Sequence, residues 1–162
     1  MAVTAVMFTQ WANNMAEKKV TLGTDSIRVI AATNITGLAA VQDSASTMTD
    51  VKAASGWTEV ANAAGGSNYT QNASSHLSGL ALTTTWTRSA HVWTLNTSTS
   101  VQWTTAGSGF APTGLVFFDD VGTTDATNFA ICWVDLGGAQ AGTGGNWTYT
   151  VPAGGIFQAT SS

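Results

Sequence analysis

The sequence predicts a mainly β chain: one β-sandwich or jelly-roll-like domain of about eight strands with an N-terminal amphipathic helix. Two observations carry that expectation. The densest apolar stretch, residues 113–138, contains a single reversal. Leu115-Val116-Phe117-Phe118 runs into Asp119-Asp120-Val121-Gly122-Thr123-Thr124-Asp125 and returns as Asn128-Phe129-Ala130-Ile131-Cys132-Trp133-Val134. From Gly79 onward, short alternating runs recur between turns of Gly, Ser and Asn, the spacing of an all-β domain. The hairpin is apolar on both parities of each strand, so it is expected at the centre of a sheet covered on both faces. Simple alternation sets Phe129, Ile131 and Trp133 on one face of the return strand and Ala130, Cys132 and Val134 on the other.

Taken in order, residues 4–19 read as a helix. Phe8, Trp11, Ala12 and Met15 fall at i, i+3, i+4 and i+7 and form one stripe, Thr4 is the expected N-cap, and Lys18 and Lys19 suit the C-terminal dipole. Residues 25–32 read as a strand with one face mostly buried, carried by Ile27, Val29 and Ala31. Residues 34–77 form an irregular excursion expected to cross an end of the sheet, with a helical turn over 49–54 and a short strand at Trp57-Thr58-Glu59-Val60. The main β region spans 79–159. It opens with Leu80, Leu82 and Trp86 on one parity against Thr83, Thr85 and Thr87 on the other, and continues with His91, Trp93 and Leu95 and then Val101 and Trp103. Residues 137–146 read as a flexible glycine-rich loop, followed by strands at 147–151 and 155–157.

Length and composition bound the function. The 162 residues make one domain, 1–162, large enough for a core without staples. Only 9% of residues are charged, against about 25% in an ordinary soluble domain, while seven are Trp. The surface must therefore be largely Thr, Ser, Asn, Gly and Ala, which is cheap to desolvate and suits life within an assembly, although a secreted β-domain has a similar surface. Five Lys plus Arg against nine Asp plus Glu leave no cationic footprint for nucleic acid. No stretch approaches the roughly 20 apolar residues of a membrane span, and the N-terminus carries no secretory signal pattern, so no secretion by a signal peptide is expected. The lone Cys132 sits in an apolar strand as a small buried hydrophobe.

Chemistry is scarce, and no enzyme, cofactor or metal is expected. His76 and His91 have no acidic or thiol neighbour at ligand spacing. Asp119, Asp120 and Asp125 do not follow the alternating calcium-loop pattern and read as turn formers. The glycine run at 137–145 lacks a Gly-Lys-Ser/Thr ending and leads into a strand, so it is no phosphate cradle. Trp57, Trp86, Trp93, Trp103 and Trp147 remain, either as a platform on which sugar rings stack or, by preference, as core and subunit contacts.

Several segments together carry a resemblance: the amphipathic start through Trp11, then Thr21-Leu22-Gly23-Thr24-Asp25-Ser26-Ile27-Arg28-Val29, residues 114–120, Gly122-Thr123-Thr124-Asp125-Ala126-Thr127, Trp133-Val134-Asp135-Leu136-Gly137-Gly138, Trp147-Thr148 and Gly155-Ile156. In these the chain resembles a family of small virion structural proteins of tailed bacteriophages, head decoration or minor capsid proteins. Residues 34–77 depart from the pattern. The resemblance implies a decoration or cement protein on the outer surface of the phage head, partnered by the major capsid protein and by itself, as a homotrimer. A tail tube or minor tail subunit is the alternative, and a carbohydrate-binding domain is the alternative of another class. No catalytic residue is implied. Phe8, Trp11, Met15, Trp57, Trp86 and Trp93 are the expected capsid or subunit contacts.

Overall fold

The computed structural model describes residues 4–21, 24–71, 79–90, 92–98 and 100–160. These are mainly β: antiparallel sheets with few helices, not closed into a barrel. The elements are β1 (Thr4–Met7), α1 (Gln10–Ala16), β2 (Ile27–Ile35), α2 (Leu38–Val41), α3 (Met48–Ala53), β3 (Trp57–Glu59), β4 (Leu80–Leu82), β5 (Thr84–Ser89), β6 (Val92–Thr97), β7 (Val101–Ala106), β8 (Gly114–Asp119), β9 (Phe129–Asp135), β10 (Gly145–Tyr149) and β11 (Phe157–Thr160). The largest sheet runs β1-β9-β8-β2-β3, with β4 pairing β2 beyond the end of β3; β10 pairs β7, and β6 lies between β11 and β5.

The β8–β9 hairpin is central, as its double apolar parity requires, and every residue of β8 is buried. A bulge corrects the expected faces. Phe117 pairs Cys132 and Phe118 pairs Ala130, so Ile131 is an extra residue and the alternation flips there. Ile131, Cys132 and Val134 consequently share one core, while Trp133 joins Ala130 in the other.

The N-terminal helix is shorter than its sequence stripe. Residues 4–7 form the edge strand β1, in register with 135–132 of β9, and the helix begins only at Gln10. Thr9, not Thr4, is the N-cap. The run Ala5-Val6-Met7-Phe8 fits either period, and the open edge of β9 decides the matter by offering unpaired backbone groups. Phe8 is left buried against Trp133, 4.9 Å between rings, and Ala12, expected in the stripe, is exposed.

Strand β2 also departs from expectation, being covered on both faces. The cover on its second face is the excursion itself: Leu38, Ala45, Met48 and Val51 pack on Ile30, Val116, Phe118 and Trp133. Those residues therefore lie across a face of the sheet and not across its end. The helical turn is present as α3, closed by a capping box between Thr47 and Asp50. On the opposite face, Val29, Leu115 and Phe117 meet Leu95 of β6, Val101 and Trp103 of β7, and Trp147 and Tyr149 of β10.

The stretch beginning at Leu80 is two strands, not one. It leaves β2 at Thr83, whose carbonyl accepts the Ser98 N–H at 3.0 Å, and re-enters the other sheet as β5. With β1 added, the strands exceed the number expected.

The glycine-rich loop is held in place. Gly142 N–H donates to Phe110 O at 2.8 Å, Gly144 N–H to Ala106 O at 2.9 Å, and the Trp147 indole N–H to Gln140 O at 2.8 Å. A Cβ on Gly142 would lie 2.0 Å from Ala106 O, so only glycine fits. The Gly142→Ala variant is expected to lose roughly 1–3 kcal/mol through overpacking against that backbone. A urea midpoint equal to that of the parent chain would refute this account of the loop.

Candidate functional site

The described residues gather their chemistry at one end of the central sheet, where β8 ends and β2 begins. Asp119 closes β8 opposite Ile27 and Phe129 and is fully buried. Neither of its carboxyl oxygens has a donor among the described residues, nor does Asp120 Oδ1. Asp25, two residues before Ile27, lies against it. Burial, then the charge and hydrogen bonding of Asp25, then the charge of Asp120 push the Asp119 carboxyl up to about 8.

Arg28 brings positive charge to this group. Its Nε pairs with Asp120 Oδ2, and its Nη1 donates to Gly79 O at 2.8 Å. Asp120 N–H donates to Ser26 O at 2.8 Å, and Asp25 Oδ2 accepts from Thr21 N–H, so the turn before β2 and the connection after β8 are tied together. The far end of that connection is anchored to α3: Lys52 Nζ pairs with Asp125 Oδ2 at 2.7 Å, and Met48 N–H donates to Asn128 O at 2.9 Å. Asn128 is fully buried, with Oδ1 accepting from Gly122 N–H at 3.0 Å and Nδ2 without a partner among the described residues.

This cluster can hold a proton. Among the described residues no group of three His, Cys, Asp or Glu is placed to hold a metal ion. Cys132 is buried and its thiol is pushed up by burial. Its expected place as a small hydrophobe in the core is observed. His76 and His91 lie outside the described residues.

The six expected contact residues divide. Phe8 and Trp11 are buried within the chain's own core, so their apolar faces serve the fold. Trp11 meets the half-buried Trp86 edge-on, with ring centroids 6.2 Å apart, and Met15 and Trp57 are half-buried at the margins of the two cores. The Trp93 side chain lies outside the described residues, although its backbone pairs with Arg88 and Ala159 in β6. Trp103 and Trp147 lie with ring centroids 5.6 Å apart, tilted by 42°, beside Tyr69 and Phe110 and are buried. Trp147 and Tyr149 do border an open groove of about 380 Å³ with Gln140 and Thr148.

The outer faces of the smaller sheets carry a different signal. Thr85 and Thr87 of β5 stand opposite Asn96 and Thr94 of β6, with Gln158 of β11 beside Thr94. Gln102 and Thr104 of β7 and Thr148 of β10 continue the pattern, and Gln102 Nε2 reaches Thr148 Oγ1 at 3.1 Å. These positions are hydroxyl and amide, without charge. Sequence reading found the Thr parity of β5 but missed the Asp25–Asp119–Asp120–Arg28 cluster. Its available signal was an Asp pair ending an unbroken apolar run, beside an Arg inside another apolar strand.

No family model, no curated protein and no solved structure matches the chain.

Proposed function

We propose that the chain is a structural protein of a tailed-bacteriophage virion, acting as a decoration protein on the outside of the head without catalysis. The observation that carries this reading is the uncharged Thr, Asn and Gln surface on the outer faces of β5, β6, β7 and β10. Hydroxyls and amides are desolvated at far lower cost than charges when they find partners, so this surface suits broad contact with a shell. The resemblance in sequence supports the same reading. The three sheets form the layers of a single sandwich, and the shared core of Val29, Phe117, Leu95, Trp103 and Trp147 supports that. The partners are the major capsid protein and further copies of the chain, as a homotrimer whose three contacts act together. Met15, Trp57 and Trp86 keep part of their surface for such contacts.

Copy number tests the location. Quantitative mass spectrometry on virions split into heads and tails is expected to find the chain in heads, at a ratio near that of the major capsid subunit. Recovery in the tail fraction alone would replace decoration with a tail subunit. The surface is tested by T85E/T87E, which introduces two charges on an exposed face and should fold normally while binding heads at least about tenfold more weakly. Undiminished binding would remove β5 from the interface. Quenching of Trp fluorescence by host polysaccharide, with no head binding, would favour the carbohydrate-binding alternative.

A further inference from the structure

We propose that Asp25 and Asp119 share a single proton and that this proton is a latch holding the connection between β8 and β9 closed. The geometry leaves Asp119 few alternatives. It is fully buried, neither oxygen has a donor among the described residues, and the pairing of Ile27 with Asp119 sets Asp25, two residues earlier, on the same side of the strand beside it. Two ionised carboxylates in contact repel, whereas one proton between them makes a short charge-assisted hydrogen bond.

The charged groups around the pair favour its protonation. From the connection itself comes a further carboxylate, Asp120. Arg28 of β2 is engaged by Asp120 Oδ2 and Gly79 O. β9 contributes Phe129 in register with Asp119, β4 contributes the apolar Leu80–Leu82, and Asp125 is already paired with Lys52 of α3.

The latch adds a side-chain tie between two segments already joined through the backbone by the Asp120 N–H to Ser26 O bond. Asp25 is held through Oδ2 by Thr21 N–H and through Oδ1 by Thr24 Oγ1, while Asp119 is the last residue of β8 before residues 120–128. When the proton leaves for solvent, two adjacent carboxylates remain, and the strain is relieved by moving the connection outward so that Asp119 gains water. The sign follows from the direction of the shift. The folded carboxyl lies above its ordinary value, so the latch is fully closed below about pH 4 and is lost progressively as pH rises to about 8. Over that window the equilibrium for opening the connection should grow about tenfold per pH unit, and then level off.

The test uses the full chain. Carboxyl ¹³C NMR follows the titration, and hydrogen exchange at the amides of residues 120–128 follows opening. D119N serves as reference, because its amide can donate to Asp25 but cannot ionise. One carboxyl signal is expected to titrate near pH 8 in the parent chain and to vanish in D119N. The parent-to-variant ratio of exchange rates is expected to rise about tenfold per pH unit up to that point. If D119N does not fold, D25N serves instead: it removes the neighbouring charge and should bring the Asp119 titration down. Titration of every carboxyl below about pH 5, or an exchange ratio independent of pH, would overturn the latch.

Discussion

Replacing Arg28 with Met is expected to destabilise the fold by roughly 3–5 kcal/mol, the cost of removing one partner from a largely buried ion pair. The Arg28 and Asp120 side chains are only 18% and 9% exposed, so solvent screening does little to soften the loss. Met would fill the apolar stem's space between Phe118 and Ala81, which flank Arg28 in register, but would leave Asp120 facing Asp119 without a counter-charge. Gly79 O would also lose its donor. The signature that separates this from simple loss of packing is rescue. R28M/D120N should recover most of the stability, because both members of the pair are then neutral and similar in shape. Chemical denaturation of the four chains of this cycle gives the coupling directly. A coupling below about 0.5 kcal/mol would mean that the pair is a bystander.

The second large effect is expected at Trp103. Its Ala variant should lose about 3–5 kcal/mol, the range for truncating a buried Trp. Trp103 stands at the centre of an aromatic cluster, with ring centroids 5.4 Å from Tyr69, 5.4 Å from Phe110 and 5.6 Å from Trp147. The Tyr69 hydroxyl in turn donates to the buried Glu59 at 2.7 Å and accepts from Ala31 N–H at 3.2 Å, and burial followed by the Glu59 charge pushes that phenol up. A cavity at Trp103 thus loosens the ring whose hydroxyl bridges β2 and β3. Thr104→Ala, one residue along and exposed, should change stability by less than about 0.5 kcal/mol. Equal urea midpoints for W103A and T104A would show that the cluster does not hold the smaller sheets to the larger one.

Both predictions depend on contacts between residues far apart in the chain, and this separates what was legible in the sequence from what was not. The mainly β class followed from local alternation. So did the central hairpin, whose apolar residues on both parities can be satisfied only by cover on two sides. The short helix α3 was expected as a helical turn over 49–54, and the structure adds the capping box of Thr47 and Asp50 that starts it. The weakly charged surface was readable from composition alone, because too few charges exist to cover a domain of this size.

Where two local readings were equally good, distant partners decided. Residues 4–8 satisfy a helical stripe as well as a strand, and the free edge of β9 selected the strand. No pattern within β9 announces the bulge at Ile131; it arises from pairing with β8, and it reverses which of Cys132 and Trp133 faces which core. The excursion covers a face of the sheet because Leu38, Met48 and Val51 find Ile30, Val116 and Phe118 there, a complementarity of shape that spacing does not encode. The acid cluster is the same case in electrostatic form. Asp25, Arg28, Asp119 and Asp120 are ordinary turn and strand residues when read singly. The Asp119 carboxyl is pushed up only because the pairing of β2 with β8 buries it beside other carboxylates. The kinds of element follow from neighbours a few residues away and the character of the surface from composition, so both are readable along the chain. Register, the identity of each face and the environment of each carboxyl came from the tertiary structure, because burial and Coulomb interaction depend on distance in space and not along the chain.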